Sequence, residues 1–519
     1  MDGRLRFAFP LKHDLTLALV DFGADARLSG VAVGQVMAGR DLSAGELHLK
    51  LDRKELLLDG TAQLDGVPAR LSWTQSLQKN GPRARYTVQA QLDDAQRQKL
   101  GLAVPVGTMA GPVGVDATYT LVSLERATAR IALDFRDAAL SLAQLAWRKP
   151  AGVPAQGRLD LDLIDGHIRA VRQATIKGGG FDAQLAITLD PAGHLQRMDV
   201  PRLIAGETDL AATATRGADG GWRVALKGLS LDASGLMDSL GRAQSDDQPG
   251  PPLAIEAALD RVILGPKREA RAFHGQLVSD GVRWRSISFD ATMFGNGKAS
   301  LRFGQAAGGH SFRLTTDDMG ALLRLFDISG NVQGGKLEVA GEIEDTARRR
   351  LLRGTAKGAD YRIVNAPAFA RLLSVASLSG IGALLSGEGI PFSQLTGDFT
   401  FADGTLEVKG LRAYGGALGI KADGVYDLTR DALDVAGTLV PAYTLNSVLG
   451  DIPVLGPLIT GGEGEGIFAA NFRVAGPAAD PKVTVNPLSA LAPGVLRKLF
   501  LFDAPEPSPL PASGGEVAK

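Results

Sequence analysis

Cysteine is absent from this 519-residue chain, and with it go disulfides, thiolate metal sites and cysteine nucleophiles. An excess of either charge is absent as well. Lys and Arg number 56 and Asp and Glu 57. No basic stripe of the kind that neutralises phosphates is found, so no nucleic-acid partner is expected. The densest basic run, Arg348, Arg349 and Arg350 with Arg353, reads as a solvated turn. Long apolar runs are missing too. The longest uncharged stretches, 372–387 and 435–450, fall short of the ~20 apolar residues of a spanning helix and are rich in Gly, Ser or Thr. No secretory leader opens the chain, since Met1-Asp2-Gly3-Arg4 leads straight into strand-like sequence. An anchor or export signal is expected upstream of it.

Catalytic constellations are equally scarce. The six histidines, His13, His48, His167, His194, His274 and His310, stand singly, without the spacing of a zinc site. Gly295-Asn296-Gly297-Lys298 is flanked by Thr292 and Ala299, where a phosphate loop needs Gly and Ser or Thr, so it reads as a turn. Asp160, Asp162 and Asp165-Gly166 miss the register of a calcium loop by one place; these aspartates read as the wet face of a strand. No Gly-x-Ser-x-Gly elbow occurs. Neither a metal, a cofactor nor an enzymatic activity is expected.

What the chain does have is alternation. Hydrophobic residues make up 45 % and charged residues 22 %, which suits a folded protein. Leu47, Leu49 and Leu51 alternate with polar residues, as do Leu159, Leu161 and Leu163. Phe181, Ala183, Leu185, Ile187 and Leu189 do the same, and so do Phe468, Ala470, Phe472 and Val474. A period of two places one set on each face, so the expected sheets have a dry side and a wet side. The 65 glycines are spread without a Gly-X-Y period, as in many short strands joined by tight turns. Gly-x-apolar-x-apolar at Gly45, Gly157, Gly335, Gly397 and Gly404 is expected to mark strand starts, and its irregular spacing argues against a solenoid or propeller. Asp165-Gly166, Asp219-Gly220, Asp403-Gly404 and Asp423-Gly424 are expected turns.

Helices are expected at 93–100, after the Thr316-Asp317-Asp318 cap, and at 368–385, 443–458 and 488–501. The organisation read from these signals is β-rich repeat over 1–150 and 151–241, a linker at 242–252, and a further repeat over 253–365. A C-terminal domain follows over 366–502, with a Pro- and Ser-rich tail at 503–519. Such a chain holds on the order of 30 strands, or ~140 Å of sheet at ~4.8 Å per strand. Two architectures answer that pattern. One is a curled sheet whose dry face forms an apolar gutter, and the other is a row of ordinary sandwiches.

The C-terminal third bears on the choice. Gly387-Glu-Gly-Ile-Pro-Phe-Ser-Gln-Leu-Thr-Gly-Asp-Phe, Gly415-Gly-Ala-Leu-Gly-Ile-Lys-Ala-Asp-Gly and Leu449-Gly-Asp-Ile-Pro-Val-Leu-Gly-Pro-Leu-Ile are its most specific stretches. Gly464-Glu-Gly-Ile-Phe-Ala-Ala-Asn-Phe follows them. Together they resemble the end of the long, YhdP-like members of the AsmA-like family, over roughly residues 366–502 and more weakly before.

The resemblance implies a mainly β fold, a long, twisted and curled antiparallel sheet forming an apolar groove, with a few short amphipathic helices near the C-terminal end. It also implies a periplasmic, inner-membrane-anchored protein that moves phospholipids between the inner and outer membranes. Set against those members, the sequence is expected to be without their N-terminal transmembrane helix and part of their repeat region. The alternative function is a non-conducting scaffold that assists outer-membrane assembly.

On the groove reading Phe181, Leu185, Ile187, Leu189, Phe468 and Phe472 are expected to touch acyl chains. Leu445, Val448, Leu449, Ile452, Val454, Leu455, Leu458 and Ile459 gather many aliphatics around one acid, Asp451. They are expected either to contact a membrane or membrane-protein partner, or to plug the end of the sheet.

Overall fold

The computed structural model describes residues 2–9, 20–37, 40–77, 83–102, 104–240, 250–306, 309–345, 350–375, 388–441 and 470–486. The protein is mainly β, 71 % strand and 8 % helix, built on long antiparallel sheet that does not close on itself. It divides into two compact units after Gly265.

In the first unit, fifteen strands from Asp2–Ala8 to Leu253–Gly265 follow one another across the sheet in chain order. Each pairs antiparallel with the next, with one exception. Trp222–Asp232 and Leu253–Gly265 run parallel, Trp222 opposite Leu253 and Val224 opposite Ile255. A hairpin cannot make that connection, so the chain must cross over. The helix Ser234–Leu240 lies on the crossover; of the expected linker at 242–252, residues 242–249 lie outside the described residues. That helix was not expected, because Gly235 interrupts a seven-residue run that reads as the approach to a linker. In the second unit, twelve strands from Arg268–Ser279 to Lys482–Asn486 pair antiparallel throughout, again in chain order.

Local chemistry explains most turns. Asp165 and Gly166 have φ of 52° and 76°, and Asp403 and Gly404 have 51° and 75°. Both central residues are left-handed, as tight hairpins of this twist require. Asp423-Gly424 is not a turn. Both residues lie inside the strand Leu418–Asp427, Gly424 opposite Val435, where a Cβ would meet Val435 Cγ2 at 2.7 Å. Nor do Gly45, Gly335 and Gly397 start strands; they lie inside Arg40–Leu51, Val332–Asp345 and Ile390–Ala402. Gly335 and Asp360, facing each other between the Gly334–Tyr361 and Lys336–Ala359 pairs, have φ of 86° and 56°, and the register is the same on either side of them.

Two of the helices begin as the sequence indicates. Asp93 caps Asp94–Lys99, accepting from Gln96 N at 2.8 Å while the Gln96 side chain accepts from Asp93 N. Asp318 caps Met319–Leu325, accepting from Ala321 N at 2.8 Å. A third helix, Pro367–Val375, occupies the described part of the expected 368–385 segment. The expected helices at 443–458 and 488–501 lie outside the described residues.

Candidate functional site

Residues directly opposite one another in a sheet share a face, so the pairing register shows what each face is made of. In the first unit Leu49, Leu58, Trp73, Tyr86, Tyr119 and Ala129 stand opposite one another from strand to strand. The row continues through Leu161, Val171, Ile187, Met198, Ala214 and Val224. One residue along the same strands, the other face carries Arg27, His48, Asp59, Ser72, Thr87 and Thr118. It goes on through Arg130, Asp160 and Gln173.

The second unit repeats the division. Leu277, Ile287, Phe303, Phe312, Gly341 and Gly354 form the first half of one row. Phe399, Val408, Gly424, Val435, Val474 and Val483 form the other half. On the reverse, Asp290, Ser300, Thr315, Glu338, Lys357 and Thr396 are followed by Arg412, Lys421, Thr438, Asn471 and Asn486. All twelve strands therefore contribute an apolar residue or glycine to the one row, and eleven of them, three or four residues along, contribute a polar residue to the row on the other face.

The polar face is held by charge pairs. Arg302 Nη2 donates to both carboxylate oxygens of Asp290 at 2.8 and 2.7 Å, and Arg473 makes a two-pronged contact with Asp434 through Nε and Nη2 at 2.8 and 2.6 Å. That contact raises the Arg473 guanidinium above its ordinary value, the hydrogen bond being the main cause. In the first unit, Asp160 and Asp162 lie on the polar side beside Arg130 and Arg172, at 3.4 and 3.1 Å. A depression of about 810 Å³ here is lined by Arg70, Gln89, Asp116, Ala132 and Arg158, with Gln89 donating to Asp116 at 2.8 Å. Pro68, Ala69, Ala90 and Leu133 also line it, and the charges of Arg70, Asp116 and Arg158 among them disfavour a hydrocarbon chain.

The apolar face is covered at one end in each unit. In the first, a small sheet of Met109–Ala110, Ala139–Leu142 and Trp147–Lys149 packs Trp147, Leu140 and Leu142 over Phe181, Ala183, Leu203 and Ala205. Lys149 anchors this cover. Its Nζ donates to the carbonyls of Ala138 and Pro150 at 2.7 and 2.9 Å, and burial pushes its ammonium down from the ordinary lysine value. In the second unit Met319, Leu372 and Leu373 bring two helices onto Ile390, Phe392, Leu418 and Leu439. Away from these covers the central members of the rows, such as Leu185, Ile187, Phe312 and Val408, keep partial exposure.

The expected contact residues therefore divide. Leu185, Ile187 and Leu189 sit half-buried on the apolar face, beside exposed Gln184 on the other. Phe181 lies on that face and Phe472 on the apolar face of the second unit, and both are buried in packed clusters, each 8 % exposed. Phe468 lies outside the described residues. So do Leu445, Val448, Leu449, Ile452, Val454, Leu455, Leu458 and Ile459. Reading by sequence missed the aromatic file Trp73, Tyr86 and Tyr119, since each ring comes from a different strand and only register unites them. Among the described residues no group of three His, Asp or Glu gathers as metal ligands, and no helix is long and apolar enough to cross a membrane. Compared with protein-family models, curated proteins and solved structures, the chain gives no match.

Proposed function

We propose that the chain is a periplasmic carrier of phospholipid acyl chains, of the AsmA-like kind, moving lipid between the inner and outer membranes. The observation that carries this reading is the second unit's row from Leu277 to Val483, twelve strands wide with no polar side chain. An acyl chain needs no directional partner, and each methylene removed from water is worth roughly 0.8 kcal/mol. A file of aliphatic and phenyl side chains interrupted by glycines offers resting places without directional bonds, so a tail can slide from one to the next without breaking a polar contact. The polar reverse face keeps the sheet wetted on its other side. The resemblance in the sequence supports the periplasm and the two membranes as its setting, and a carrier rather than a catalyst as its role.

Solvent extraction of the purified full chain, followed by mass spectrometry, is the test. Phospholipid retained in stoichiometric amount supports the reading. Protein that is folded, free of lipid, and unable to take up phospholipid from vesicles would refute it.

A further inference from the structure

Between the helix Asp94–Lys99 and the strand Met109–Ala110 the first unit puts aliphatic side chains into water. Leu102 is 53 % exposed, Val104 38 % and Val106 entirely. From Leu100 to Gly111 no residue carries a charge, so no ionised group hydrates this tip. Exposed aliphatics gathered in one short connection point to a contact surface, as single ones do not.

The root of the tip is firmly built. Arg97 is 6 % exposed, and its Nη1 donates to the carbonyls of Leu92 and Gly111, both at 2.8 Å. Those two residues stand at either end of the insertion between the strands Ala84–Leu92 and Val113–Leu121. Asp94 answers the guanidinium charge and accepts from Gly111 N at 3.2 Å. Arg40 Nη2 donates to the Leu100 carbonyl at 2.6 Å, and its Nη1 to Asp65 at 2.9 Å. A buried cation is tolerated only with such partners, and here they fix the root of an apolar tip. At the tip Pro105 has no N–H, and its carbonyl accepts from Thr108 N and Oγ1 at 3.1 and 2.7 Å. Meeting backbone polar groups internally is what hydrocarbon requires of a segment that enters it.

We propose that Leu102, Val104 and Val106 seat in the outer hydrocarbon of a lipid bilayer. A protein partner fits less well. Three aliphatic side chains offer far less than the ~800 Å² per partner that a stable protein interface buries. Nor does a Trp, Tyr or Arg stand between Leu100 and Gly111 as an anchor. A bilayer needs neither, since affinity for it follows the apolar surface buried. The root adjoins the small covering sheet: the Thr108 carbonyl accepts from Ser141 N at 2.9 Å, and Met109 pairs with Leu140. Leu140 packs over the apolar face, so a seated tip brings that face to the membrane. The contact adds a partner surface to the carrier reading without resting on it.

The chain holds no cysteine, so Val106→Cys in the full chain carries a single thiol for an environment-sensitive fluorophore. On phosphatidylcholine vesicles its emission should shift to the blue, and lipids with a nitroxide at carbon 5 should quench it. The same label on Ala192→Cys, in the turn after Phe181–Leu189, should show neither change. Salt at about 0.5 M screens surface charge but should leave the shift in place, because the tip is uncharged. Val104→Asp/Val106→Asp should weaken vesicle binding roughly tenfold or more. Its thermal melt should not change, since both side chains are exposed. A label at 106 that stays wet, a shift lost in salt, or full binding by the double variant overturns the proposal. If the double variant melts early, the two labelled positions decide. Phospholipid retained by a chain whose label stays wet leaves the carrier reading standing. A blue-shifted label on a chain that takes up no lipid overturns that reading and supports this one.

Discussion

Trp147 tilts across Phe181 with ring centroids 4.7 Å apart, and this contact marks where the covered part of the first unit's apolar face ends. Phe181 is 8 % exposed beneath the indole. Four residues along the same strand Leu185 is half-buried, and its pairing partner Ala174 is too small to cover it. One strand thus begins in a packed core and continues onto a half-covered face.

Photo-crosslinkers placed along that strand should report the change. At Leu185 a crosslinker is expected to label co-purified lipid, and at Gln184, on the reverse face, it should label little. At Phe181 labelling should also be low, since Trp147 and Leu142 occupy the space. Equal labelling at 184 and 185 would mean the two faces do not differ toward lipid.

Much of this was legible in the sequence, for a physical reason. Alternation such as Leu159, Leu161, Leu163 depends only on the pleat, so strand and face follow from it directly, whereas the single long antiparallel sheet was expected from the family resemblance. Asp93 and Asp318 announce helices because a cap is a local hydrogen bond. Three features depend on residues far apart and left no local sign. The parallel pair of Trp222–Asp232 with Leu253–Gly265 is one. Gly424, kept small by Val435 on the next strand, is another. The burial of Phe181 is the third, because Trp147 comes from an insertion between two strands of the main sheet.

Covered and uncovered stretches of the second unit should differ in what truncation costs. Leu373, fully buried between helix and sheet, is expected to lose about 2–5 kcal/mol of stability on change to Ala. Val408, half-buried in the open row, should lose about 1 kcal/mol or less, because less area returns to water. Urea unfolding of both variants measures this. A cost for Val408→Ala equal to that of Leu373→Ala would show that the row is covered after all.

Gly437→Ala should be destabilising by about 1–3 kcal/mol, as overpacking generally is. A Cβ there meets the Lys421 carbonyl oxygen at 2.2 Å and the Phe472 ring at 2.8 Å. The nearer atom is backbone, so shortening the ring in Gly437→Ala/Phe472→Leu is not expected to restore stability. Full recovery in the double variant would assign the clash to the ring alone and show that the strand spacing can give.

Acid should loosen the hairpin at Asp280 in a narrow window. Its carboxylate accepts from Arg283 N at 2.7 Å and Val282 N at 2.9 Å, with Arg285 Nε at 2.7 Å. Chiefly through those backbone hydrogen bonds, its pKa falls from the ordinary 3.8 to about 2. A carboxyl whose folded value is depressed stabilises fully above its unfolded value and loses that contribution as pH falls through the folded one. The Asp280 contribution is therefore complete at pH 5 and declines between about pH 4 and pH 2. Asp280→Asn keeps an oxygen for the two backbone donors but no charge, so comparing it with the unaltered chain isolates the ionised form. Amide exchange at Val282 and Arg283, corrected for the intrinsic pH dependence of exchange, should be slower in the unaltered chain at pH 5. The two proteins should converge as pH 2 is approached. A difference that disappears by pH 5, or one that persists undiminished to pH 2, would contradict a depressed carboxyl at this turn.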